Sequence, residues 1–279
     1  MNDLNDRMKM LELVTTGERF LPLLPVCARI DGKCFHNFCK GLFRPYDKRL
    51  SDLMIAVTIY LVEETNACIG YTQSDEISLV WYSSSYKSKI FFDGRIQKMC
   101  STLASMTTAT FNSELFYFIP EKRNELALFD CRVWSVPTLF EAANYLLWRE
   151  CDAVKNSISM AAQSVYSHKM LHKKNGKQMQ EMLHTKGVNW DKYPTFFKRG
   201  TYVQRHKKIR KFTVDEIKKL PVQHFAHKNP DLMVERTSVK ELEMPVFSTV
   251  ANRVGVVFNG DIPRKKDDEE LQGTISRDT

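Results

Sequence analysis

The sequence predicts an α+β fold in which helices back an antiparallel sheet, and three observations carry that prediction. Residues 21–30 are rich in Leu, Val and Ile and end at Asp31-Gly32, which reads as a strand with a carboxylate at its tip. Leu50, Leu53, Met54, Val57 and Leu61 then recur at i, i+3, i+4, i+7 and i+11 behind Asp47, a good N-cap, so a helix packs next. Two short apolar runs, residues 67–72 and 77–82, flank Gln73-Ser74-Asp75-Glu76 and read as a hairpin.

The remaining elements extend this order. A short helix is expected at residues 33–40. A second amphipathic helix spans about residues 95–111, with Ile96, Met99, Leu103 and Met106 on one face, and a fourth strand follows at residues 126–134. Strand, helix, strand, strand, helix, strand is the split βαβ or ferredoxin-like arrangement, whose first and third strands lie side by side. Pro137 suits the first turn of a helix that turns Leu139, Ala142, Ala143, Leu146 and Leu147 inward. Arg149, Asp152 and Asn156 share a second stripe of that helix, a pattern that is often only solvated surface. The chain divides into a sheet domain at residues 1–134, a mainly helical part at 135–262, and a tail at 263–279 with so little to bury that disorder is expected.

Composition narrows the function classes. At 279 residues and 43% hydrophobic content the chain can bury one sizeable core or two modest ones. No apolar run approaches the roughly 20 residues of a membrane span. The N-terminus lacks the apolar stretch of a secretory signal, so a cytoplasmic protein with no membrane partner is expected. Seven scattered cysteines without a C-x-x-C pair fit reduced thiols better than a zinc site. A formal charge of +8 favours a polyanionic partner, with basic runs at residues 168–177 (HKMLHKKNGK) and 205–211 (RHKKIRK). Either run can equally be a solvated face.

Asp31 at the end of the first strand and Asp75 in the hairpin turn could converge at one sheet edge. Convergent carboxylates suit Mg²⁺, a hard cation that takes oxygen ligands and keeps water and phosphate in its shell. Asp, Gly and Ser are also the usual occupants of turns, so spacing alone leaves both readings open.

The string RIDGKCFHNF (Arg29 to Phe38), followed by GYTQSDEISLVW (Gly70 to Trp81), resembles the two signature motifs of the tRNA-histidine guanylyltransferase superfamily. Arg95 and Lys98 before Leu103-Ala104-Ser105, the run Phe129-Asp130-Cys131-Arg132, Trp148-Arg149 with Asp152 and Asn156, and Lys198-Arg199-Gly200-Thr201 fall in register with the same family. The resemblance covers roughly residues 20–205.

It implies a palm-type fold and a metal-dependent nucleotidyltransferase that extends the 5′ end of tRNA in the 3′–5′ direction. Asp31 and Asp75 would hold two Mg²⁺ ions together with the carbonyl of Gly32, with Glu76 beside them. Asp31, Gly32, Lys33, Cys34, Phe35 and His36 would wrap the triphosphate of ATP or GTP, helped by Ser74 and Asp75. Arg44, Arg95, Lys98, Arg132, Arg149, Lys198 and Arg199 would meet phosphates of a second nucleotide or of the RNA, because nucleotidyl transfer builds negative charge that must be neutralised in place. Asp152 and Asn156 would orient those bases. A homo-tetramer built from dimers is expected. His36 and the thiols of Cys34 and Cys39 have no local partner that would make them catalytic.

One departure bears on the task. Enzymes that add guanylate to histidine tRNA carry HINNLYN where this chain reads Val154-Lys155-Asn156-Ser157-Ile158-Ser159-Met160. The difference is similar to the guanylyltransferase-like branch, whose members repair 5′-truncated tRNAs by templated addition. Strict guanylate addition and a non-catalytic RNA-binding protein are the alternatives. A binder gains nothing from carboxylates that face RNA phosphates. A nucleotide cyclase, which would work without RNA, is a further rival.

Overall fold

A computed structural model of the chain describes residues 2–229 and 231–266. In chain order its elements are α1 (Asn2–Thr16), β1 (Val26–Gly32), α2 (Phe35–Phe38), α3 (Lys48–Thr65), β2 (Ile69–Gln73), β3 (Glu76–Trp81), α4 (Ile96–Phe118), β4 (Phe129–Ser135) and α5 (Leu139–Gln163). They continue as α6 (His168–Leu171), α7 (Gly176–Thr185), α8 (Thr195–Arg199), β5 (Thr201–Lys211), α9 (Val214–Lys219), β6 (Met233–Leu242) and α10 (Arg253–Asn259). The six strands form one sheet in the order β4-β1-β3-β2-β5-β6, with every neighbouring pair antiparallel.

Alternation along β1 sorts the two faces of this sheet. Val26, Ala28 and Ile30 pack with Leu53, Val57 and Leu61 of α3 and Met99 and Leu103 of α4 in the larger core. Cys27 turns the other way and joins Tyr71, Val80 and Tyr202 beneath Ala142, Ala143, Tyr145 and Leu146 of α5. A third cluster, with Ala161, Leu171, Leu183 and Phe197, ties the end of α5 to α6, α7 and α8. Asp47 caps α3 by accepting from the Arg49 N–H at 3.1 Å. Gly70 lets α3 close on β2: a Cβ there would lie 2.7 Å from Cγ2 of Thr58 and 2.8 Å from Cγ2 of Val62.

β1 and β3 are adjacent, as the sequence pattern predicts. Other expectations change. The part expected to be mainly helical, residues 135–262, also supplies β5 and β6, the two longest strands, of 11 and 10 residues. The short helix shrinks from residues 33–40 to Phe35–Phe38, and the second long helix continues past 111 to Phe118. α1 was not among the expected elements; its apolar side chains Leu4, Met8, Leu11 and Val14 all stay exposed.

The segment expected to be disordered begins with ordered backbone. Lys265 bridges to Val250, and the Arg264 N–H donates to Oδ1 of Asn252 at 2.8 Å. The rest of that segment, residues 267–279, lies outside the described residues. Among the described residues no helix is long and apolar enough to cross a membrane.

Gly70→Ala forces a methyl group into the α3–β2 contact and should destabilise the protein by about 1–3 kcal/mol, the usual cost of overpacking a filled core. Chemical denaturation checks this; an unchanged midpoint would mean that α3 can retreat freely.

Candidate active site

Cross-strand register assembles the site. Asp31 lies opposite Glu76 on β3 and opposite Asp130 on β4, so three carboxylates stand in one row. Two residues back along β1, Arg29 lies opposite Ser78 and Arg132. Both rows face the side that α5 covers, because pairs directly opposite one another share a face and residues i and i+2 do too.

Asp75 enters from the β2–β3 turn. Ser74 is left-handed (φ 56°), which tightens the turn, and its hydroxyl donates to Oδ1 of Asp75 at 3.0 Å. The other carboxylate oxygen presses on the β1 backbone: a Cβ at Gly32 would sit 2.8 Å from Oδ2 of Asp75 and 2.4 Å from the Phe35 ring. Only glycine fits there. Burial pushes the Asp75 carboxyl up to about 6, with Asp31 and Glu76 adding like charge. The structure therefore brings Asp31, Gly32, Asp75 and Glu76 together.

Glu76 has a dedicated partner. Arg149 donates through Nε to Oε1 at 2.6 Å and through Nη2 to Oε2 at 2.7 Å, and its Nη1 reaches Oδ2 of Asp152 at 2.8 Å. Its guanidinium also stacks over Trp148, 4.4 Å from the ring centre. Burial pushes the Glu76 carboxyl up even though this pair pulls it down. Arg149, expected at a phosphate, is thus a buried clamp on Glu76, and Asp152 holds the clamp. Asn156 stays exposed one turn further on.

The loop after β1 departs from a simple phosphate wrap. The Lys33 N–H donates to the Leu128 carbonyl at 2.8 Å, and Cys34 is left-handed (φ 54°) and exposed. Phe35 is buried among Phe38, Phe111 and Phe129, with ring centres 4.8, 5.7 and 5.5 Å away, so its ring belongs to the core. His36 and Arg44 line a cavity of about 340 Å³ that also touches Ser74, Asp75, Gln163 and Ser164. Asp47 lines it as well, but Arg49 holds its carboxylate at 3.0 and 2.7 Å. Burial pushes the Cys39 thiol up to about 11, which keeps it protonated.

The outlying bases divide. Arg132 is exposed beside Asp130 at 3.4 Å. Lys198 donates to the Asp191 carbonyl at 2.6 Å. Arg199 faces the buried Glu150 at 3.6 Å and donates to the Met244 carbonyl at 3.3 Å. Arg95 and Lys98 are not brought to the carboxylates. β3 runs away from Asp75, and α4 starts beyond its far end, where Arg95 pairs with Arg19 ahead of β1.

Three participants were missed. Arg29, buried at Nε without a hydrogen-bond partner, could have been found by stepping two residues back from Asp31. Asp130 could have been found from the strand pairing. Nothing local marks Glu150, which accepts from the Tyr202 hydroxyl at 3.0 Å and the Phe247 N–H at 2.9 Å.

Comparison with known proteins settles the family. A family model described as tRNAHis guanylyltransferase matches residues 5–137. The solved structure of a bacterial tRNA(His) guanylyltransferase-like protein in complex with ATP matches with a TM-score of 0.68 and 39% identity, over 72% of this chain and 88% of that one. The chain belongs to the tRNA(His) guanylyltransferase superfamily. A bacterial tRNA(His) guanylyltransferase-like protein in complex with GTP matches at a TM-score of 0.66 and 32% identity, over 88% of this chain and 94% of that one. The tRNA(His) guanylyltransferase of Schizosaccharomyces pombe is 28% identical over 250 residues, covering 81% of this chain and 94% of its own. As a member of the tRNA(His) guanylyltransferase superfamily the chain is a nucleotidyltransferase.

Arg149→Met leaves Glu76 buried without its counter-charge and should cost about 3–5 kcal/mol, the range for breaking a buried pair. Arg149→Met combined with Glu76→Gln should recover much of that loss. A double-mutant cycle in urea, closed by Glu76→Gln alone, measures both, and a double-variant loss equal to the sum of the two single losses would show that the pair carries no coupling.

Proposed function

We infer that this nucleotidyltransferase adds nucleotides in the 3′–5′ direction to the 5′ end of tRNA and that its task is templated repair of 5′-truncated tRNA. The observation that carries the reading is the seat of Asp75 on Gly32 beside Asp31, which puts two carboxylates at one end of the central strands. A polymerase palm uses the ends of its central strands in the same way.

The donor set fits Mg²⁺. Among the described residues no group of three or more His, Cys, Asp or Glu is placed to hold a metal ion by itself. Two carboxylates with room for water and phosphate oxygens are what this ion takes, whereas zinc would want nitrogen or sulfur. Asp31, Asp75 and the Gly32 carbonyl would hold two Mg²⁺ ions, whose chemistry is to acidify an attacking hydroxyl and neutralise a departing phosphate.

The chain's own residues do the rest. Two relatives hold ATP and GTP, and the cavity bounded by His36, Arg44, Ser74 and Asp75 takes such a nucleoside triphosphate here, for activation and for building. An oxygen of a 5′-monophosphate end first attacks the α-phosphorus of the triphosphate, which expels pyrophosphate and leaves a nucleotidyl-capped end, unless the end already carries three phosphates. The 3′-hydroxyl of the incoming nucleotide then attacks the 5′ phosphorus; nucleoside monophosphate leaves an activated end, and pyrophosphate leaves a triphosphate end. Arg29, Arg132, Lys198 and Arg199 neutralise the phosphates, and Arg149 fixes the Glu76 carboxylate beside them. The chain acts as a homo-tetramer, a dimer of dimers.

Base choice comes from the template. A site that read guanine with its own polar groups would reject other bases strongly, since mismatched groups would be left unpaired. Of the two carboxylates that line the cavity, Asp47 is occupied by Arg49 and Asp75 is assigned to the metal ions, and Val154 stands where the strict enzymes have histidine.

Asp31→Ala and Asp75→Ala should each abolish nucleotide addition with the fold intact; turnover like wild type at saturating Mg²⁺ would overturn the metal assignment. In a second assay, truncated tRNAs carry each of the four bases opposite the missing nucleotide. Incorporation should track the complement. Guanylate added whatever the opposing base would instead assign the chain to strict histidine-tRNA chemistry.

A further inference from the structure

α5 carries three groups of side chains across the site. Near its end Met160, Gln163 and Ser164 line the cavity that takes a nucleoside triphosphate, with α3 and α8 as further walls. Arg149 and Asp152 stand at the carboxylates, Arg149 on Glu76. Trp148 comes down on the other flank, where the Arg29 guanidinium of β1 lies 5.9 Å from its ring centre. β4 borders β1 there, and Trp134 of β4 meets Tyr145 edge-on at 4.9 Å, one turn of α5 before Trp148. At about 1.5 Å per residue the cavity end of α5 is about 20 Å from Trp148, and Arg149 and Asp152 come between them along the helix.

The four tryptophans differ in how much of the ring is already engaged. Trp81 is buried and donates to the Thr65 carbonyl at 2.9 Å, Trp190 donates to the Ser157 hydroxyl at 3.1 Å, and Trp134 packs on Tyr145. Trp148 is 49% exposed. Arg149 lies 4.4 Å from its ring centre, but that guanidinium is committed to Glu76 and Asp152. Arg29 has no partner for its buried Nε, and Arg132, opposite Arg29 in the β1–β4 pairing, is exposed. An open indole beside arginines with donors to spare is the combination that holds an unpaired nucleotide: the base stacks on the ring and the cations take phosphate.

Two-step addition needs a second nucleotide position. Once activation has joined a nucleoside monophosphate to the 5′ end, that nucleoside occupies the cavity until it leaves. In an in-line displacement the attacking 3′-oxygen and the leaving oxygen lie on opposite sides of the phosphorus, so the incoming nucleotide enters from the Trp148 flank. We propose that the Trp148 indole is the platform on which the base of the incoming nucleotide stacks, while the other face of that base lies against the last base pair of the RNA. This rests on the reading of the chain as a templated 3′–5′ enzyme and adds the residue that holds the base. Every base has a π-face, so one indole serves all four and leaves the choice to the template.

The test uses Trp148→Leu and Trp148→Phe in the full chain, with thermal melting and ATP binding by calorimetry to establish that both are folded. The RNA is a 5′-truncated tRNA carrying a 5′-triphosphate, which bypasses activation. Trp148→Leu should raise the KM for the incoming nucleotide about tenfold, by the same factor for each of the four nucleotides opposite its complement, with the KM for RNA unchanged. Trp148→Phe keeps an aromatic face and should recover most of that loss. A ribose triphosphate without a base removes the stacking partner, and its penalty relative to ATP opposite uracil should be about tenfold smaller in Trp148→Leu than in wild type. Tryptophan emission should fall when a non-hydrolysable nucleotide joins the protein–tRNA complex, and Trp148→Phe should lose that fall. Equal penalties in the two proteins would overturn the proposal, as would a quench that survives Trp148→Phe. A rise in the KM for RNA alone would overturn it in favour of stacking on the RNA's own terminal base, and a loss confined to one nucleotide would overturn it in favour of base reading. The emission test needs no turnover, so a wild-type protein that adds no nucleotide would remove the 3′–5′ reading while the quench still decides the platform.

Discussion

Asp75 can press its carboxylate onto the backbone of Gly32 only while Asp31 stands opposite Glu76, because that register fixes where the β2–β3 turn falls along β1. A slip of one residue would exchange the two faces of β1. Ile30 would then meet α5, and Asp31 would be driven into the apolar layer of α3 and α4. The apolar alternation Val26, Ala28, Ile30 therefore defends the polar site on the opposite face, and core packing and site geometry are one constraint seen from two sides.

Electrostatics on that face set acids and bases in neighbouring rows. Asp31, Glu76 and Asp130 form one row, with Arg29 and Arg132 in the next and Arg149 descending from α5. Glu76 is the acid most fully paired, and Asp75, raised by burial and by its neighbours, is the one left wanting a cation. Such an arrangement suits a polyphosphate that brings negative charge with its own counter-ions.

Much of this was legible in the sequence. Asp31 and Asp75 could be placed because a strand tip and a hairpin turn are local features, and the split βαβ order made them neighbours. The helices α3, α4 and α5 announced themselves by period. β5 and β6 did not, since their distal halves stand clear of both packed layers and so carry charge rather than alternation. The partner of Arg149 was hidden for a related reason: a helical stripe shows which side a residue lies on, but not that Glu76, 73 residues earlier in the chain, waits beneath it. Arg95 and Lys98 could not be assigned to one end of the sheet until the direction of α4 was known.

Arg149 and Glu150 are consecutive, about 100° apart on α5, and each is tied to a different part of the molecule. Arg149 holds Glu76 on β3, whereas Glu150 holds Tyr202 on β5 and the backbone at Phe247. Two turns on, the Ser157 hydroxyl meets the Lys198 carbonyl at 3.2 Å and Trp190 at 3.1 Å. The helix is in effect a shaft keyed at three points. It cannot roll to relieve one contact without straining the others, so the carboxylates, β5 and α8 share one setting of the helix.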